Sequence, residues 1–215
     1  MDAHTCMPDL FNKENSPAIS LIKEKGELLC IPDWLSDEDQ QYYFSLLLQE
    51  LAWKTEKLMI AGRQVQSPRL VAWYGNPGIT YRYSGVSYEA LPWPTALLAL
   101  KQKLCDEFAA RINSVLANLY RNGRDSVGWH ADSEPELGKN PVIFSLSLGA
   151  SRFFDYRLRD KSRPRQRIEL QPGSLLIMQG AFQQYWLHQV PKQLKIAEPR
   201  INLTFRYIEH SGSGL

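Results

Sequence analysis

The chain lacks a cysteine framework. Its 215 residues include only Cys6, Cys30 and Cys105, an odd and scattered set with no CxxC pair. That excludes a disulfide-stapled scaffold and a zinc knuckle, and it fits a reducing cytoplasm. Long apolar runs are also missing, since none approaches the roughly 18 residues that a membrane span needs. The first twenty residues, MDAHTCMPDLFNKENSPAIS, hold no basic region followed by an apolar core, so a soluble, unprocessed protein without membrane contact is expected. Charge of one sign is scarce as well. A formal net charge of +2 is too weak a field to announce nucleic-acid binding, which would have to rest on local patches. No repeat or low-complexity tract is present.

A chain of this length suits one core, expected over residues 21–215 of a monomer, behind a loosely held polar lead-in at 1–20. SDEDQQYYFSLLLQELAW reads as a helix: Ser36 can cap it, Asp37, Glu38 and Asp39 suit its positive end, and Phe44, Leu47, Leu48 and Leu51 recur at helical spacing. A second helix is expected from Thr95 to Ser114, where Leu97, Leu100, Leu104, Phe108, Ile112 and Val115 form one stripe. Short strands follow: SVGWHA, VIFSLSL, SRFFDYR, QRIEL, SLLIMQ, YWLHQV and RINLTFRYI, separated by turn signals such as NG and PGS. The pattern predicts a mainly β protein with flanking helices, an antiparallel barrel or jelly roll.

Chemistry concentrates at i, i+2 spacings, which share one strand face. Asn118 pairs with Tyr120 in this way, His130 with Asp132, and Arg200, Asn202, Thr204 and Arg206 line one side of RINLTFRYI opposite Ile201, Leu203, Phe205 and Tyr207. Each set alone is ordinary, because an HxD pair often caps or decorates a surface and a polar strand face is commonly solvated. If the arginine face lines a cavity, its guanidiniums require an anion such as a small dicarboxylate. Two histidines and one carboxylate would make the facial triad of non-haem Fe(II) oxygenases. His4 and His210 lie near the chain ends, whereas His188 sits within a predicted strand that a barrel can bring back, so His188 is the third ligand expected.

Taken together these segments resemble the AlkB family of iron- and 2-oxoglutarate-dependent nucleic-acid dioxygenases, in particular its DNA-repair branch. The resemblance rests on NLYRNGRDSVGWHADSEPELG, SLSLGASRFF, GSLLIMQGAFQQYWLHQVPK and EPRINLTFR in that order, with SPRLVAWYGNPGITYRYSG upstream, over about residues 28–208. It implies a double-stranded β-helix core at about 115–208 and a nucleotide-recognition lid at about 50–90. It further implies that His130, Asp132 and His188 bind Fe(II), and that Asn118, Tyr120, Arg200, Asn202, Thr204 and Arg206 hold 2-oxoglutarate. Arg200 would meet the distal carboxylate and Arg206 the metal end, where it joins the catalytic group. The implied reaction uses O2 to remove methyl groups from 1-methyladenine and 3-methylcytosine in DNA, with RNA as the alternative substrate and a non-catalytic nucleic-acid-binding barrel as a rival reading.

The same resemblance places Arg69, Tyr81 and Tyr83 in the lid as substrate contacts, with Tyr83 stacking on the base. It also sets Ser133 and Glu134 beside the base's exocyclic amine. Repair-type relatives often carry an acid where Ser133 stands. Ala61 occupies the position of an aromatic wedge in relatives that act on duplexes, which predicts a preference for single strands. The basic segment RFFDYRLRDKSRPRQR, with Lys192 and Lys195, is a candidate path for phosphates or a solvated surface.

Overall fold

The computed structural model describes residues 17–60, 63–83 and 86–209. Fourteen strands and three short α-helices occur among them, in the order β1 (Ile19–Ile22), β2 (Glu27–Ile31), α1 (Asp37–Glu50), β3 (Lys54–Ile60), β4 (Arg63–Gly75), β5 (Thr80–Tyr83), β6 (Val86–Glu89), α2 (Thr95–Phe108), β7 (Ser114–Tyr120), β8 (Val127–His130), β9 (Ile143–Gly149), β10 (Arg152–Leu158), β11 (Gln166–Leu170), β12 (Leu175–Gln179), α3 (Phe182–Tyr185), β13 (Trp186–Val190) and β14 (Arg200–Arg206). Eight strands make one sheet in the order β1-β2-β12-β9-β14-β7-β4-β3, and four make a second in the order β11-β10-β13-β8. This is the expected jelly roll. Each predicted strand from SVGWHA onward is present.

Alternation along the central strands separates two cores. Ile201, Leu203 and Phe205 of β14, Ala117 and Leu119 of β7, and Leu146 and Leu148 of β9 face outward, where Leu47 of α1 and Leu97, Leu100 and Leu104 of α2 cover them. Each such leucine contributes about 1.5–3 kcal/mol on burial. The opposite face of the large sheet meets the small one, where Tyr120, Leu176 and Met178 pack with Phe154, Tyr156, Trp186 and Val190. The polar residues of β14 point into that inter-sheet space.

Helix α1 starts as its sequence indicates. The Ser36 hydroxyl accepts from the Asp39 amide at 3.1 Å, a cap worth about 1 kcal/mol. Helix α2 stops earlier than its apolar stripe suggested, because Ala109 adopts left-handed backbone with φ of 49° and Ser114 already begins β7. Ile112 and Val115 keep the stripe going in sequence because they are buried in the same outer core from non-helical positions. Three further findings concern strands. Ile19 and Ser20, assigned to the lead-in, belong to edge strand β1; β3 and β4 extend the large sheet past β7; and β14 ends at Arg206, so that Tyr207 lies beyond it, with Arg111 over its ring at 4.1 Å. No helix among the described residues is long and apolar enough to cross a membrane.

Candidate active site

The register of the small sheet brings the two histidines together. His188 of β13 pairs directly with His130 of β8, 58 positions earlier in the chain, and their ring centroids lie 4.2 Å apart. Asp132 is not on the same strand face as expected, because β8 ends at His130. Its place is set instead by Gln183 of α3, whose buried side-chain carbonyl accepts from the Asp132 amide at 3.0 Å. Ligand atoms of His130, Asp132 and His188 all fall within 4.8 Å of one another. The sequence reading missed Gln183, which only a contact 51 residues away along the chain reveals.

The hydrogen bonds around the three side chains favour a cation between them. His130 Nδ1 lies 2.8 Å from the Gly128 carbonyl, which can only accept, so Nδ1 carries a proton and Nε2 is the ring nitrogen turned toward the cluster. Nε2 is 3.9 Å from Asp132 Oδ1. Positive charge at that point, whether a proton or a metal cation, stabilises the pair. Burial, aided by His130 and opposed by Asp132, pulls the His188 pKa down to about 3, so its imidazole is neutral and fit to coordinate. Burial raises Asp132, but Arg206, His188, His130 and Arg69 outweigh it and hold the carboxyl below its ordinary range.

Antiparallel pairing of β14 with β7 and β9 builds the neighbouring polar floor. Arg200 sits opposite Tyr120, and Asn202 opposite both Asn118 and Ser147. Arg200 is 1% exposed; its Nη2 donates to Ser147 Oγ at 2.8 Å and its guanidinium lies 5.3 Å from the Tyr120 ring centroid. Its Nε and Nη1 have no hydrogen-bond acceptor among the described residues. Burial first, offset by Tyr120 and reinforced by Arg152, brings its pKa down to about 10. Asn202 donates to Ser145 Oγ at 2.8 Å, and Thr204 donates to Asn202 Oδ1 at 3.2 Å. Ser145 and Ser147 were not singled out in sequence, although the SLSL alternation of β9 carries their signal. A buried cation with two idle donors calls for an anion. The donor set therefore fits a dicarboxylate, as the histidine and aspartate cluster fits a divalent metal.

One cavity of about 590 Å³ joins these groups. Its lining runs from Arg200, Asn202, Thr204 and Arg206 past His130, Asp132 and His188 to Glu134, Arg69 and Glu56. Arg69 donates from Nε to Asn118 Oδ1 at 2.6 Å, which ties β4 to the floor. Ser133 is exposed and absent from the lining, so of the expected acid-side contacts only Glu134 reaches the cavity. Tyr81 and Tyr83 lie on β5, paired with β6 in a two-stranded sheet; their side chains, like Ala61 and Gly62, fall outside the described residues. The basic segment is largely committed to internal contacts. Arg152 is buried and donates to carbonyls of Asn122, Asp125 and Pro191, Arg165 and Arg167 bind Asp155, and Arg159 donates to the Gln183 carbonyl.

The family model described as the 2OG-Fe(II) oxygenase superfamily matches residues 27–206. The chain belongs to the AlkB family within that superfamily and is an iron- and 2-oxoglutarate-dependent dioxygenase. It is similar to the alpha-ketoglutarate-dependent dioxygenase alkB homolog 3 of Bos taurus, 39% identical over 211 residues, which cover 94% of this chain and 73% of the relative. The DNA oxidative demethylase ALKBH2 of Mus musculus is 37% identical over 175 residues, covering 77% of this chain and 73% of the relative. The solved structure of OsALKBH1 shares the fold, with a TM-score of 0.57 at 17% identity over 89% of this chain and 100% of that one.

Proposed function

We propose that the protein removes methyl groups oxidatively from N-alkylated bases, 1-methyladenine and 3-methylcytosine, in DNA, with a preference for single strands. The observation that carries this reading is the continuity of one cavity from the idle donors of Arg200, past the His130, Asp132 and His188 cluster, to the lid residue Arg69. The similarity to the DNA oxidative demethylase ALKBH2 supports DNA as substrate class. In this reading His130, Asp132 and His188 hold Fe(II), and Arg200 receives the distal carboxylate of 2-oxoglutarate through parallel hydrogen bonds. Asn118, Tyr120, Asn202 and Thr204 complete the cosubstrate's berth, and Arg206 lies nearest the metal end. When bound, the iron supplies the activation of O2 that oxidises the methyl group.

The protein's own share is positioning. Gln183 holds Asp132, the Gly128 carbonyl fixes the His130 tautomer, and Phe154 and Phe182 wall the His188 ring at 5.3 and 6.2 Å between centroids. Tyr81 and Tyr83, on the lid hairpin, contact the flipped base, with Tyr83 stacking on it, and Glu134 accepts from its exocyclic amine. One oxygen atom of O2 enters the methyl group and the other enters succinate, which forms as the C1–C2 bond of 2-oxoglutarate breaks and carbon dioxide leaves; the hydroxymethyl product then releases formaldehyde. The test is mass spectrometry of matched methylated DNA and RNA oligonucleotides incubated with iron, 2-oxoglutarate and ascorbate. Loss of 14 mass units per methyl, roughly, from DNA is expected. Faster turnover of RNA would reassign the substrate, and no turnover of either would overturn the reading.

A further inference from the structure

Strand β3 carries an irregularity beside the cavity. Thr55 pairs with Leu70 and Lys57 with Gln66, so Glu56 alone stands opposite Ser67, Pro68 and Arg69. Pro68 has no N–H to give to the ladder, which suits a break of this kind, and bulges beside active sites re-aim side chains. Here the break turns both Glu56 and Arg69 toward the cavity, and both line it. The two do not satisfy each other. Arg69 Nε is engaged by Asn118 at 2.6 Å, while Glu56 makes no hydrogen bond or ion pair among the described residues. Glu56 is half-buried. Burial raises its pKa against the opposing pull of Arg69 and Lys54 through space, as expected of a carboxylate that has lost water without gaining a partner.

We propose that Glu56 is a specificity-determining residue that selects a positively charged base over a neutral one. The inference rests on the nucleobase reading of the site. A methyl on N1 of adenine or N3 of cytosine leaves the ring cationic, whereas a methyl on N3 of thymine replaces a proton and leaves it neutral. A cationic ring entering the cavity supplies the direct partner that Glu56 lacks, and the reduced dielectric there strengthens the attraction. Ser133, which is exposed and off the lining, cannot supply it.

The experiment uses single-stranded oligonucleotides identical except for one 3-methylcytosine or one 3-methylthymine. Both kcat/KM with the full enzyme and binding by fluorescence anisotropy without iron are measured for the unaltered chain, Glu56→Gln and Glu56→Asp. Glu56→Gln keeps shape and removes charge, so the preference for 3-methylcytosine is expected to fall about tenfold in both readouts. Glu56→Asp, which keeps the charge on a shorter arm, is expected to fall between. An unchanged ratio in Glu56→Gln, or equal losses on the two oligonucleotides, overturns the role of Glu56 while leaving the demethylase reading intact. Failure of the unaltered enzyme on both oligonucleotides overturns that reading and this inference with it.

Discussion

Replacing Arg200 should separate cosubstrate recognition from the rest of the site. Its guanidinium is almost fully buried, with Nη2 spent on Ser147 and Nε and Nη1 left over. Two charge-assisted hydrogen bonds to a carboxylate are worth about 1.5–3 kcal/mol each. Because paired bonds are not additive, the lower total of about 3 kcal/mol is the safer figure, and it corresponds to roughly a hundredfold in Kd. Titration calorimetry of 2-oxoglutarate into metal-loaded Arg200→Ala under anaerobic conditions should show that loss. Arg200→Lys retains charge without the planar fork and should lose about tenfold. A 2-oxo acid of equal length without the distal carboxylate should bind all three proteins alike. An affinity for 2-oxoglutarate within threefold of the unaltered protein in Arg200→Ala would refute the placement of that carboxylate.

Gln183→Leu should weaken metal binding by about tenfold, the usual cost of losing an outer partner of a ligand; competition against a fluorescent chelator checks it, and an unchanged affinity would make Gln183 irrelevant to the site. Asp132→Asn and His188→Ala should each abolish demethylation while circular dichroism stays native, and near-native turnover in either would remove it from the metal centre. For Asp155, burial raises the carboxyl, yet Arg167, Gln189 and Arg165 hold it below its ordinary value. A depressed folded-state pKa contributes stability above the unfolded value of about 3.9 that fades as pH falls through the folded one, so urea unfolding between pH 6 and pH 3 should lose less stability in Asp155→Asn. Equal acid losses would deny Asp155 that role. Ala61→Phe should narrow the advantage of single-stranded over duplex 3-methylcytosine, and an unchanged ratio would place duplex opening elsewhere.

Legibility in the sequence followed the range of the interactions. The β14 alternation was readable because its two faces are both buried but against different chemistry, apolar helices on one side and a polar cavity on the other. The HxD pair and His188 were readable as residue types in predicted strands, although the direct opposition of His130 and His188 is a property of register that neither strand displays alone. The end of α2 was misread because burial, which sets the apolar spacing, continues past Ala109 into β7. Gln183 and the Glu56 irregularity left no local signature. One depends on a contact across 51 positions and the other on the pairing of two strands whose lengths differ between fixed partners.

Strand β8 has four residues, one hydrogen-bonded neighbour and a register shift against it. Such a strand holds to its sheet through few backbone bonds, so the pairing of His130 with His188 is among its main attachments. A cation gripped from both strands would act as a crosslink between the sheet edge and its interior. Folding and ion uptake are then thermodynamically linked, with the folded state gaining RT ln(1 + [M]/Kd) in free energy. Supply of the ion would then govern how long the edge strand stays zipped, and amide exchange along Val127–His130 would become a gauge of iron availability.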